Sequence, residues 1–133
     1  MAKIHCIFAG RDGRSRFAGD ELQLRPESSG RLSTGFLEAS AWMYGVAETD
    51  RAVDWHTAGP GGISVMLEGC MEVEAGDGER RTIGVGDMLI ALDTSGQGHR
   101  TRVTEGSRGL TVALRGDPHA VMKSLFGRVL DDQ

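Results

Sequence analysis

Aromatic side chains are scarce in this chain: phenylalanine, tryptophan and tyrosine together make up 5% of its 133 residues. A core with so few rings has to be filled by aliphatic residues and methionine. Cysteine is scarcer still. Cys6 and Cys70 are the whole complement, too few for a disulfide scaffold and wrongly spaced for a metal-ligand motif, so reduced thiols in a cytoplasmic protein are expected. No stretch approaches the ~20 apolar residues of a membrane span, and the apolar run within residues 1–6 is too short for a signal peptide. No membrane partner is expected. Charge of one sign is not concentrated anywhere: 15 Lys and Arg stand against 19 Asp and Glu, a formal net charge of -4. Arg80 and Arg81, and Arg100 with Arg102, lie among acids, so the basic stripe of a nucleic-acid surface is missing.

Glycine is the residue in excess, 20 in all, roughly twice an average share. That abundance suits many short strands joined by tight turns. The length fits a single domain over residues 1–133, since domains run about 100 to 200 residues. Strand-like runs recur near 3–8, 21–24, 35–39, 41–46, 63–68, 70–74, 80–83, 88–92, 100–104 and 109–114, with turn residues between them and no long helix, which is the pattern of an all-β sandwich or barrel over about 3–115. Asp77-Gly78 marks a hairpin, because glycine tolerates the positive φ of a primed turn. Residues 25–34 read as loop. After Arg115 the period changes. Asp117 caps a predicted helix with Pro118 at its first position, running to about 130, and Val121, Met122, Leu125, Phe126, Val129 and Leu130 fall on one face. That face packs on the barrel or meets a second subunit.

Trp55-His56-Thr57-Ala58, then Leu67-Glu68-Gly69, Glu72-Val73-Glu74, Asp77-Gly78-Glu79-Arg80, Gly86-Asp87 and Asp93-Thr94-Ser95-Gly96-Gln97-Gly98-His99 follow one another in order. With these segments the chain resembles the small single-domain cupins over about residues 5–115, and looks closest to a bacterial group carrying WH-x-AP and D-T-x-G-x-G-H segments. Asp12-Gly13-Arg14-Ser15-Arg16-Phe17 is similar to that group's start, with Arg16 where the group has histidine. The resemblance implies an antiparallel β-barrel or jelly-roll-like sandwich whose metal set is two histidines and a carboxylate from the first motif and one histidine from the second. At the matching positions this chain keeps His56 and His99, and has Ala58 and Gly62 in place of ligands; Gly59-Pro60-Gly61-Gly62 also removes the polar side chains usual after the proline.

A catalytic transition metal needs at least three protein ligands in the usual sets, and two histidines fall short. Glu38, Glu72, Asp54, His5 or Cys70 would have to supply the third. Without a metal, paired histidines in a pocket serve as general acid and base, worth typically about 10² to 10⁴ in rate. Alternation along the strands predicts that Ser64 and Met66 face inward with Gly62, and Thr101 with His99, while Trp42, Tyr44 and Trp55 are candidates for the pocket mouth. Asp93 is expected to bond loop backbone, its glycine neighbours turning the chain.

Three functions are compatible with these residues. The first is an enzyme, of isomerase, cyclase or lyase type, that binds a mainly apolar small molecule and uses His56 and His99 without a cofactor. The second is a metal-dependent isomerase or oxygenase in which His56 and His99 share a divalent transition metal with a third ligand. The third is a non-catalytic small-molecule-binding barrel. Exposed sheet edges need covering, so a homodimer is expected, with the strand near residues 4–8 as the contacting edge.

Overall fold

The run Ile4-His5-Cys6-Ile7-Phe8-Ala9 lacks the alternation of a half-exposed strand, and the structure shows why. The computed structural model describes residues 2–18 and 21–130. In it β1 (Ile4–Ala9) lies inside a sheet and is buried on both faces: Ile7 points to one side, Cys6 and Phe8 to the other. A strand covered twice reads as continuous apolar sequence. The remaining strands are β2 (Ser15–Ala18), β3 (Arg25–Pro26), β4 (Leu32–Ser33), β5 (Ala39–Val46), β6 (Arg51–His56), β7 (Gly62–Glu68), β8 (Met71–Glu74), β9 (Arg80–Ile83), β10 (Met88–Leu92), β11 (His99–Val103) and β12 (Arg108–Leu114), followed by α1 (Pro118–Phe126).

The strands form a six-stranded sheet in the order β2-β1-β10-β7-β12-β5, a four-stranded sheet in the order β6-β11-β8-β9, and the small β3-β4 ladder. The pairing of β1 with β10 is parallel and the other pairings are antiparallel. Ile7, Met66, Val73, Ala75, Ile83 and Leu89 fill the space between the two main sheets. On the far side of the larger sheet, Cys6, Phe8, Ile90, Leu92 and Leu114 pack against Val121, Met122 and Leu125 of α1. The all-β class with a C-terminal helix is therefore what the chain adopts.

The helix begins as its cap dictates. Asp117 accepts a hydrogen bond from Ala120 N–H at 3.2 Å, with Pro118 at the first helical position. It ends at Phe126, short of the predicted 130, because Gly127 takes φ 74 and closes the helix. Leu130 still reaches the core from the tail, while Val129 is exposed. Asp77-Gly78 turns the β8-β9 hairpin as expected, with Gly78 at φ 93.

Four expectations need correction. Residues 21–24 and 35–38 form no strand, and β2 and β6 do. Both of these strands are short and interrupted by charge, and each is held as the outer member of its sheet by one neighbour, so its strand character comes from tertiary pairing. The loop expected at 25–34 contains the short β3-β4 ladder. The strand at residues 4–8 is no edge: β1 sits between β2 and β10. The open edge of that sheet at the other side is β5.

Candidate functional site

β6 and β11 run antiparallel with His56 opposite His99, and a bulge between His99 and Thr101 shifts the register. A bulge re-aims the side chains beside it. Here it leaves the two imidazole rings edge to face, with centroids 4.5 Å apart and planes at 61°. Gly98 makes the close approach possible. Its φ is +77, and a Cβ there would lie 1.9 Å from the His56 carbonyl oxygen, so no side chain fits between the strands.

The two rings are oriented differently. His99 is 5% exposed, and its Nδ1 is 2.5 Å from Oδ2 of the fully buried Asp93. His56 is half-buried and its Nδ1 lies 2.7 Å from the Asp54 carbonyl oxygen. A carbonyl can only accept, so His56 Nδ1 carries a proton. The Asp93 carboxylate likewise receives the Nδ1 proton of His99, so Nε2 is the nitrogen that stands outside these contacts on each ring. The side chain of Asp93 thus holds His99 and not the loop backbone, although its carbonyl accepts from Ala58 N–H at 3.1 Å. Asp93 Oδ1 is buried without a hydrogen-bond partner.

Ser15, 1% exposed, secures the loop from behind: its hydroxyl donates to the Gly98 carbonyl at 2.7 Å and accepts from Gly76 N–H at 2.8 Å. Asp93 and Ser15 are the residues that sequence reasoning left out of the site. Their signal was present, Asp93 in the segment ending at His99 and Ser15 in the N-terminal motif.

This donor set does not fit a divalent metal. Among the described residues no group of three His, Cys, Asp or Glu side chains converges. Ala58 and Gly62 offer no donor, so the two histidines stand as a pair, one short of the three ligands such a metal needs. None of the proposed third ligands joins the pair. Asp54 and Glu72 instead line a charged cleft on the outer face of the smaller sheet. His5 faces Asp87, with Nε2 3.6 Å from Oδ2.

The histidines and an open cavity bordered by β5, β7 and β12 lie at different heights. A cavity of about 180 Å³ is lined by Met43, Ser64, Met66, Met71, Val103 and Thr111, with Arg51 also bordering it. Ser64 and Thr111 offer hydroxyls 3.4 Å apart. Val103 and His99 are the two ends of β11, about 13 Å apart at the usual strand rise. Gly62 enlarges nothing: a Cβ there would meet the Val112 carbonyl oxygen at 2.8 Å, so its bareness serves strand packing.

The predicted pocket residues separate accordingly. Ser64 and Met66 line the cavity, whereas Thr101, opposite the buried Val73 on β8, is not among the residues that line it and also borders the charged cleft. The three aromatics are not at the cavity mouth. Trp42 and Tyr44 are 72% and 50% exposed on β5, and Trp55 lies under the Arg100 guanidinium, 4.9 Å from its ring centre. In the cleft, Glu74 accepts from Arg100 at 3.0 Å and Arg80 at 3.2 Å, and these cations, Arg100 foremost, hold its carboxyl below the usual range. Glu74 thus bridges the two cations Arg80 and Arg100.

No protein-family model matches the chain, and neither does any curated protein. Among solved structures it is similar to a crystal structure described as ethanolamine utilization protein Q from Salmonella typhimurium LT2, at 17% identity, covering 88% of this chain and 98% of that one, with a TM-score of 0.33. So loose a superposition carries nothing about ligand or chemistry. The two-sheet all-β architecture rests on this chain's own strand pairing. No helix among the described residues is long and apolar enough to cross a membrane.

Proposed function

We propose that the barrel binds a compact, mainly apolar organic molecule, and that the methionine-walled cavity is its seat. The observation that carries this is the cavity itself: about 180 Å³, walled by Met43, Met66, Met71 and Val103, with the Ser64 and Thr111 hydroxyls as polar anchors. Roughly 150 Å³ accommodates benzene in an engineered core, so the body of the ligand is about one ring in size. Methionine walls adapt to such a body, and a few polar groups among apolar ones describe ordinary ligand pockets. Calorimetric titration with p-cresol and toluene tests this: p-cresol binds the more tightly, and Ser64→Leu removes the binding of both. Failure of either compound to bind at millimolar concentration, or binding indifferent to Ser64→Leu, refutes it.

A second reading is favoured by the Asp93-His99 contact. Asp93 holds the tautomer and orientation of His99 as an acid-base dyad requires, and His56 supplies a second imidazole beside it. The proposed chemistry is cofactor-independent isomerisation, cyclisation or elimination, the proton passing between His99 Nε2 or His56 Nε2 and the substrate. A substrate would have to span about 13 Å to use both cavity and histidines. The double variant His56→Ala/His99→Ala separates the readings. Unchanged p-cresol binding favours a binding barrel, and lost binding joins the histidines to the ligand site. A cytoplasmic location belongs to the same proposal, since neither Cys6 nor Cys70 forms a disulfide among the described residues.

A further inference from the structure

The outer strands of the two main sheets differ sharply in how they are protected. β2 is four residues long and carries Arg16 in an ion pair with Asp12 at 3.0 Å; β6 carries Arg51 and Asp54; β9 carries Arg80 and Arg81. Charge and shortness are the usual means by which an edge avoids pairing with another chain. β5 has neither. It is eight residues long, holds no charged residue, and every one of those residues is exposed. Trp42, Met43, Tyr44 and Val46 are 72%, 64%, 50% and 47% exposed.

We propose that β5 is the surface through which two copies of this chain associate, edge to edge and antiparallel, joining their six-stranded sheets into one. Another strand can take up the row of outward backbone N–H and C=O groups that water otherwise fills, and a second copy brings a strand equally free of charged residues. The pairing is isologous. A two-fold axis at Met43 sets Trp42 across from the partner's Tyr44, and Tyr44 across from the partner's Trp42, so each aromatic contact occurs twice. Beside Trp42, the small side chains of Ala39 and Ala41 with Leu110 and Val112 leave an apolar groove of about 440 Å³. Phe36, fully exposed just before the strand, extends the same apolar surface. Taking about 150–250 Å² for a fully exposed aromatic, these side chains offer several hundred Å² per copy, and two copies bury on the order of 1,000 Å², the lower bound for a specific interface. Met43 and Val46 also border the open cavity of about 180 Å³, so the partner strand runs along its rim.

Sedimentation velocity between about 1 and 100 µM, together with hydrogen exchange of the β5 amides, tests the proposal. The expected mass is twice the 14.2 kDa of one chain, with β5 amides protected at high concentration and released on dilution. Trp42→Lys/Tyr44→Lys raises the dimer dissociation constant by roughly a hundredfold or more, with the circular dichroism spectrum unchanged. Val85→Lys, equally exposed but on a turn between β9 and β10, leaves the dimer intact. A monomer at 100 µM, a dimer whose β5 amides exchange as fast as loop amides, or a dimer indifferent to the double substitution overturns the proposal. The exchange measurement on the unaltered protein decides the matter even if a variant fails to fold.

Discussion

Substituting alanine for Gly98 tests whether the His56-His99 contact depends on a bare backbone between the two strands. Two costs follow from the structure. The residue has φ +77, where an L side chain costs about 1–2 kcal/mol. Its Cβ would also lie 1.9 Å from the His56 carbonyl oxygen and 2.3 Å from the carbonyl carbon. Both are backbone atoms, so no flexible side chain can swing aside, and overpacking of that kind costs about 1–3 kcal/mol. Together the substitution should destabilise the fold by about 2–5 kcal/mol. Gly78→Ala is the matched control, because its φ of +93 carries the same strain while nothing lies within 4 Å of the added Cβ; it should cost about 1–2 kcal/mol. Urea unfolding gives both values from the shift in midpoint at constant slope. If Gly98→Ala and Gly78→Ala are destabilised equally, the steric argument for the histidine approach is wrong.

Asp93→Ala leaves the buried His99 Nδ1–H without an acceptor and should cost about 1–3 kcal/mol in urea unfolding; no loss of stability would mean that the 2.5 Å contact is not maintained in solution. Asp87 accepts Lys3 N–H at 2.8 Å and Gly84 N–H at 2.9 Å, and these two donors, with His5 nearby, hold its carboxyl below the ordinary 3.8. A lowered carboxyl stabilises the fold above its unfolded pKa and loses that contribution as pH falls through the folded value. The stability difference between wild type and Asp87→Asn, about 1–3 kcal/mol at pH 7, should therefore shrink as pH drops below 3.8, and a difference constant down to pH 2 would contradict the assignment. Protein purified without chelator should carry well under one equivalent of transition metal, and zinc should leave its melting temperature unchanged; stoichiometric metal lost with His56→Ala or His99→Ala would restore the metal-dependent reading.

What could be read from the sequence follows the range of the interaction that decides it. The Asp117 cap, the Asp77-Gly78 hairpin and the inward parity of Ser64 and Met66 depend on neighbours a few residues away, and each is where residue chemistry places it. The exposed edge was misassigned because it depends on distant partners. β1 is interior only because β10, 84 residues further along, runs parallel to it, and nothing local in Ile4-His5-Cys6-Ile7-Phe8 announces that neighbour. Trp55 stands away from the cavity mouth for a related reason. One extra residue at the bulge sets Trp55 under Arg100, and a shift of one residue exchanges the faces of a strand.

The division between histidines and cavity rests on a subtler distinction. Alternation says on which side of a sheet a residue stands, but not how far along the barrel it lies. His99 and Val103 share an inward parity and differ in height by about 13 Å. Position along β11 separates the heights: Val103, at the opposite end of that strand from His99, borders the cavity together with the Ser64-Thr111 pair. A ligand site inferred from parity alone therefore merges two places that register keeps apart. Whether a molecule uses one or both is then a matter of its length. A one-ring compound held between Ser64 and Met66 leaves the imidazoles out of reach, so any substrate of the Asp93-His99 dyad must be longer than the cavity or enter from the other end.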